Sequence, residues 1–264
     1  MAVFILDGGL FVGRFERQKH KKGKSYWWWK RHHNQGIIST KDYKNEINKI
    51  MQRDINHFKV KMEMVDDIDE VIVCYDGIYG RRERGRFFKN YKSHKSGVKA
   101  TKHKGHDIRK WIEECGFNAM QIEDKWKGIY DDFKEGDDLI AEQVIEQLEL
   151  GNSVVVLSED MDMYQFLSWE GDISIHNLRK HITYESFLED WDIKPYQLIE
   201  WKCLVGDVSD NIKGVKGWGV KKANKFLIKY DTISNFPDEL LTDEDLQNIV
   251  IWKKIMQLPF EPNK

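Results

Sequence analysis

Three short apolar runs constrain this chain more than any other feature, because each one ends in an acid. Residues 3–6 (VFIL) lead into Asp7-Gly8, residues 70–75 (EVIVCY) into Asp76-Gly77, and residues 153–158 (SVVVLS) into Glu159-Asp160. Runs of this length, rich in β-branched residues, fit buried strands, and the long helical stretches between them predict a parallel sheet in an α/β fold. In such sheets ligands bind beyond the carboxyl ends of the strands. A turn or a helix cap would explain each acid singly. A metal site at the carboxyl edge requires all three together.

The intervening sequence supports that layout. Ser39 and Thr40 cap a helix over 40–64, where Tyr43, Ile47, Ile50, Met51, Ile55, Phe58 and Met62 recur at helical spacing. Residues 107–115 and 137–150 also have helical patterns, the second closed by Gly151-Asn152. A hairpin or two edge strands are expected over 173–184, and helices over 195–205, opened by Pro195, and 220–230. The last thirty residues are acidic and then weakly helical. The division expected is a sheet-bearing core over 1–182, with a basic arch at about 79–104, and a helical lobe over 183–264.

At 264 residues and 41% apolar content the chain can bury a sizeable core. No apolar run reaches the ~18 residues of a membrane span. The apolar start MAVFILDGG is too short for a signal peptide and lacks its basic flank, so a cytosolic protein is expected. Cys74, Cys115 and Cys203 are widely spaced and form no CxxC pair, which argues against zinc and disulfides. The net charge of −2 hides a strong asymmetry: residues 14–35 carry eight Lys/Arg against one acid, and residues 79–110 twelve against two. Two basic segments on an acidic body suit phosphate binding beside a cluster of carboxylates. Charge alone leaves solvated loops equally open.

The acids at strand ends and helix starts are Asp7, Asp76, Glu135, Asp137, Asp138, Asp160, Asp162, Asp207 and Asp210. If they converge, bound cations must offset their repulsion. Oxygen ligands favour hard divalent ions, magnesium or manganese, and two of them about 4 Å apart stabilise both the attacking and the leaving oxygen of a phosphodiester.

Taken in order, Ile5-Leu6-Asp7-Gly8, Val73-Cys74-Tyr75-Asp76, Glu135-Gly136-Asp137-Asp138, Leu157-Ser158-Glu159-Asp160-Met161-Asp162 and Val205-Gly206-Asp207-Val208-Ser209-Asp210-Asn211-Ile212 resemble the acidic motifs of the flap endonuclease / 5′→3′ exonuclease family. That family includes the exonuclease domain of bacterial DNA polymerase I and small stand-alone phage enzymes. The resemblance implies a PIN-like 5′ nuclease core with a helix–three-turn–helix lobe. It implies that Asp7, Asp76, Glu135, Asp137, Asp138 and Asp160 serve a first metal, and that Asp162, Asp207 and Asp210 serve a second. Asp7 and Asp160 would belong to the catalytic centre.

The same resemblance reaches the basic arch RRERGRFFKNYKSHK (81–95), where Arg84, Tyr91, Lys92 and Lys95 match the family's DNA-binding pattern. Lys92 would stabilise charge on the scissile phosphate and Tyr91 would stack on an unpaired base. Lys89 stands where the family often has proline, and Lys95 where it has arginine, which loses the bidentate fork. In IKGVKGWGVKKA (212–223), the Gly217-Trp218-Gly219 turn precedes a helix start bearing Lys221 and Lys222, an arrangement that suits a phosphate. It resembles the family's helix–three-turn–helix, about 205–230, which grips downstream duplex and sometimes holds a potassium ion on backbone carbonyls. Arg14 follows Asp7 at the family's spacing. Trp27, Trp28 and Trp29, in a segment that departs from the family, could stack on bases near an upstream junction or pack on the body.

The expectation is therefore a monomeric, two-metal nuclease of replication or repair, phage-type, acting in the cytoplasm (the host's, if phage-encoded). Its substrates would be DNA with a 5′ flap, nick or 5′ end, and also RNA·DNA hybrids, with no membrane partner. Two rivals stand beside it. A PIN-type endoribonuclease shares the acidic edge but usually lacks the arch and the glycine hairpin. A non-catalytic structure-specific DNA-binding protein could lose acids that are all present here.

Overall fold

A computed structural model describes residues 1–11, 26–65, 67–93, 108–114 and 116–261. Arg14 and Lys95 lie outside the described residues, as does the side chain of Trp27. The centre is a seven-stranded sheet. In chain order its strands are β1 (Ala2–Asp7), β2 (Glu70–Tyr75), β3 (Gln121–Glu123), β4 (Trp126–Tyr130), β5 (Ser153–Leu157), β6 (Ile173–His176) and β7 (His181–Ile182). They are arranged β3-β4-β2-β1-β5-β6-β7. The five inner strands are parallel, and only β3 and β7 run antiparallel, one at each edge. The 121–130 strands are short, and their apolar residues Ile122, Trp126, Ile129 and Tyr130 follow no sustained alternation that sequence could reveal.

Both faces of the central strands are covered, which is why they read as unbroken apolar runs. Phe4, Leu6, Val71, Val73, Val155 and Leu157 face one cluster, with Ile47, Ile55 and Phe58 of helix α2 (Thr40–Glu63) packed on them. Val3, Ile5, Ile72, Cys74, Val154 and Val156 face the other, against Leu139, Ile140 and Val144 of α5 (Gly136–Glu149). Ser39 caps α2, its hydroxyl accepting from Asp42 N at 3.1 Å.

Further helices are α1 (Tyr26–Asn34), α3 (Gly80–Phe87), α4 (Ile108–Glu114), α6 (Tyr184–Asp190), α7 (Leu198–Val205), α8 (Val220–Tyr230) and α9 (Asp243–Met256). A third core, built by Ile193, Cys203, Leu204, Trp218, Leu227, Trp252 and Ile255, defines the C-terminal lobe. Phe187 of α6 and Leu198 pack instead with the sheet. No described helix is long and apolar enough to cross a membrane.

The strand register sets the position of the site. Leu6 lies level with Val73 on one side and Leu157 on the other, so Asp7, Asp76 and Ser158–Asp160 emerge at the same carboxyl edge. Gly77 lets the 131–135 loop close over this edge: a Cβ there would lie 2.0 Å from Asp131 O and 2.6 Å from Lys134 O. That contact delivers the start of α5, with Glu135, Asp137 and Asp138, beside Asp76.

Candidate metal and nucleic-acid site

The sheet edge supplies one group of acids. Gly136 N donates to Asp76 Oδ1 at 2.7 Å, and Ser158 Oγ donates to Asp7 Oδ2 at 3.0 Å. Asp160 caps the 3₁₀ segment 161–168, with Oδ1 accepting from Asp162 N at 2.9 Å. Burial, reinforced by Asp76 and Asp160, pushes the Asp7 carboxyl up to about 6. Burial likewise raises Asp137 well above the usual carboxylate range, with Asp160, Asp7 and Asp76 adding to it and Lys92 opposing. Asp76 and Asp160 thus act on both Asp7 and Asp137, and Asp7 acts on Asp137.

The second group joins Asp162, from the segment after β5, to two acids of the lobe. Ligand oxygens of Asp162, Asp207 and Asp210 lie within 4.8 Å of one another. The loop that carries the last two closes on itself: Asp207 N donates to Ile212 O at 2.9 Å and Ile212 N to Asp207 O at 2.7 Å. Lys202, buried on α7, places its ammonium between Asp162 and Asp207, 2.7 Å from Asp207 Oδ2. Burial opposes ionisation of Asp207, but Lys202 outweighs it and holds that carboxyl at about 2. Asp162 is pushed to about 7 by burial, with Asp160 and Asp210 adding to it and Lys202 opposing. Lys202 pairs with two of the three carboxyls, and the third, Asp210, lies 3.6 Å from the Lys92 ammonium. Lys202 was not singled out in the sequence, although a lone lysine in the apolar stretch LIEWKCLV was a readable signal.

Arch and lobe meet over the acids. Lys92 Nζ lies 3.2 Å from Glu135 Oε1 and 3.6 Å from Asp210 Oδ1, so the ammonium bridges the two halves of the site. Burial works against the charge on Lys92, but Glu135, Asp210 and Asp137 raise its pKa above that of a free lysine, and it stays cationic. Burial would also raise Glu135, yet Lys92 and Arg84 hold it at about 2.

Three residues are placed differently from the sequence expectation. Arg84, expected on DNA, is 2% exposed and faces inward. Its guanidinium donates to Glu135 Oε2 at 2.8 Å, to both oxygens of Asp138 at 2.7 Å and to Ile255 O at 2.9 Å. Asp138, expected on the first metal, has both oxygens on Arg84, and Oδ1 also accepts from Phe260 N at 2.8 Å. Tyr91, expected to stack on a base, lies in the lobe core and donates its hydroxyl to Glu135 Oε2 at 2.7 Å. These side chains build a buried strut from the arch base to α5 and the C-terminal segment, and sequence spacing cannot tell a strut from a surface contact.

The glycine turn is formed as expected. Gly217 has φ +80°, Gly219 is the N-cap of α8, and Lys221 and Lys222 are exposed on its first turn. Trp218 is buried against Phe236, with Lys222 Nζ 4.1 Å from its ring centre. At the other end, Trp29 packs on the first core and Trp28 stacks on His32 at 3.8 Å.

Comparison with known proteins bears directly on this arrangement. Residues 193–256 match the family model "5'-3' exonuclease, C-terminal SAM fold". The chain is 29% identical over 198 residues to a 5'-3' exonuclease of Buchnera aphidicola, covering 74% of this chain and 61% of that protein. It is 36% identical over 128 residues to a thermostable DNA polymerase I of Thermus thermophilus, covering 48% of this chain and 14% of the polymerase. The chain is similar to members of the flap endonuclease / 5′→3′ exonuclease family. The chain spans less than two thirds of the length of those relatives. Its α/β, PIN-like nuclease fold is shared with the bacteriophage T5 flap endonuclease, crystallised in a pseudo-enzyme–product complex with DNA and metal ions. The match has a TM-score of 0.60 and 16% identity, and covers 97% of this chain and 86% of that one. The catalytic core of Rad2 in complex with DNA substrate gives a TM-score of 0.52 at 13% identity, over 99% and 79%.

Proposed function

We propose that this chain is a structure-specific 5′ nuclease that hydrolyses phosphodiesters in DNA carrying a 5′ flap, a nick or a free 5′ end, and in RNA·DNA hybrids. One observation carries the reading: carboxyls of the sheet edge, and the Asp162, Asp207 and Asp210 group where that edge meets the lobe, lie beside Lys92 and stay raised by burial at Asp7 and Asp162. All donors are oxygens, which fits magnesium or manganese. Asp7, Asp76, Asp137 and Asp160 would hold one cation, with Glu135 beside it; Asp162, Asp207 and Asp210 would hold the second. Bound there, two such ions supply Lewis acidity and an activated water.

The chain's own residues do the rest. Lys92 keeps a permanent charge at the mouth of the site, where it can pass from Glu135 and Asp210 to the oxygens of an incoming phosphate and stabilise the charge that grows on them. Lys221, Lys222 and the amides that open α8 would take the phosphates of the downstream duplex, with a potassium ion at the turn. A monomer suffices, since every group named is on one chain. Work on replicating DNA in the cytoplasm follows from the same reading.

The test is cleavage of 5′-flapped DNA, single-stranded RNA and plain duplex, with and without magnesium. Magnesium-dependent cutting of the flap is expected. RNA cutting with inert flap DNA would support the PIN-type endoribonuclease. Binding without any cutting would leave a structure-specific DNA-binding protein.

A further inference from the structure

The lysine over the site stands in an uncomfortable backbone. Lys92 has φ +47°, in the left-handed region that L side chains rarely adopt, so the surrounding structure must hold it there. Its own amide donates to Asp210 O at 3.2 Å. The residues on either side of it are held from across the site by one side chain. Asn211 Nδ2 donates to Asn90 O at 2.9 Å and to Ser93 Oγ at 2.9 Å. Asn211 also has a left-handed φ of +61°, which asparagine tolerates better than most residues.

The platform that carries Asn211 is rigid. Asp207 Oδ1 accepts from Ser209 N at 2.6 Å and Asp210 N at 3.2 Å, and the Asp207–Ile212 bridge closes the loop. The loop bearing Asp207 and Asp210 therefore extends one amide, next in sequence, to both flanks of the residue bearing the ammonium. We infer that Asn211 is a positioning residue that latches the arch base onto the lobe loop and so sets where the Lys92 ammonium stands above the two acidic groups. The inference rests on the proposed nuclease reading and names no contact between Asn211 and the substrate.

Asn211→Gly keeps the left-handed backbone at no steric cost and removes the amide. Asn211→Asp keeps the shape and removes the donors. With 5′-flapped DNA and magnesium, both variants should lose about ten- to a hundredfold in kcat, the scale of a misplaced catalytic group, while KM moves by less than about twofold. In the background of Lys92→Ala the same substitutions should add little, because the residue they position is gone. Hydrogen exchange provides an arm independent of cleavage: the Lys92 and Ser93 amides should exchange faster in Asn211→Gly, while those of β1 and β5 stay unchanged. Wild-type kcat in either variant, full additivity with Lys92→Ala, or unchanged exchange at Lys92 would overturn the latch. A wild-type protein inert on flapped DNA would instead sink the nuclease reading and leave exchange to decide the latch.

Discussion

Glu135 and Asp207 sit two and three residues from Asp137 and Asp210, yet the members of each pair are treated oppositely. Glu135 meets Arg84 and Lys92, and Asp207 meets Lys202, and both carboxyls are held at about 2. Asp7 is pushed to about 6, and Asp137 and Asp210 are raised, by burial that the protein's own cations do not offset. The difference separates two kinds of acid in one cluster. Glu135, held down by Arg84 and Lys92, ties the arch to α5, and Asp207 is paired with Lys202 inside the lobe. Asp7, Asp137 and Asp210 stay raised even though Lys92 acts on the last two.

The sharpest way to break this distinction is Asp160→Asn. It should reduce cleavage of flapped DNA to background while sparing affinity for it, measured by anisotropy without metal. Retained turnover would remove Asp160 from the proposed metal site.

Arg84→Met tests the other kind. It leaves buried Glu135 and Asp138 without their shared guanidinium, a loss of about 3–5 kcal/mol for a broken buried network. Urea unfolding should show it. A stable variant with weakened DNA binding would return Arg84 to the surface role expected from the sequence.

The pH dependence should carry both signatures with opposite signs. Asp7 and Asp162 bind their protons more tightly in the folded state. The stability of the metal-free protein should therefore fall as pH rises from about 4 through about 6 and 7, and magnesium should restore it most at the upper end. Glu135 and Asp207 contribute stability that is present above their ordinary values and lost as pH falls towards about 2. Thermal melts at several pH values, with and without magnesium, separate the two. A melting temperature that rises steadily from pH 4 to 8 without metal would contradict the raised carboxyls.

The smallest effect is expected far from the acids. Lys222→Ala should weaken duplex binding a few-fold and lower the salt slope by about one, with kcat unchanged. An unchanged slope would reassign Lys222 to its contact with Trp218.

Much of this molecule was legible in the chain. The parallel strands at 3–6, 70–75 and 153–158, the helices over 40–64 and 220–230, and the ordering of the acids all follow from local signals: β-branched runs, helical spacing, caps and glycines. The 121–130 strands were missed because their alternation is short. The C-terminal helix α9 was weakly read, since its moderate pattern becomes decisive only when Ile249, Trp252 and Ile255 find the lobe core.

What residue order could not decide is which way each charged side chain faces. The motifs put Arg84, Tyr91 and Asp138 on the roll of functional residues, and the fold turned all three inward, because the C-terminal segment returns to meet α3 and α5 across more than a hundred residues. Chemistry confined to one strand end or one helix turn is written locally, because its geometry has a period. The pairing of a particular acid with a particular cation depends on distances between segments remote in sequence, and only tertiary packing sets those.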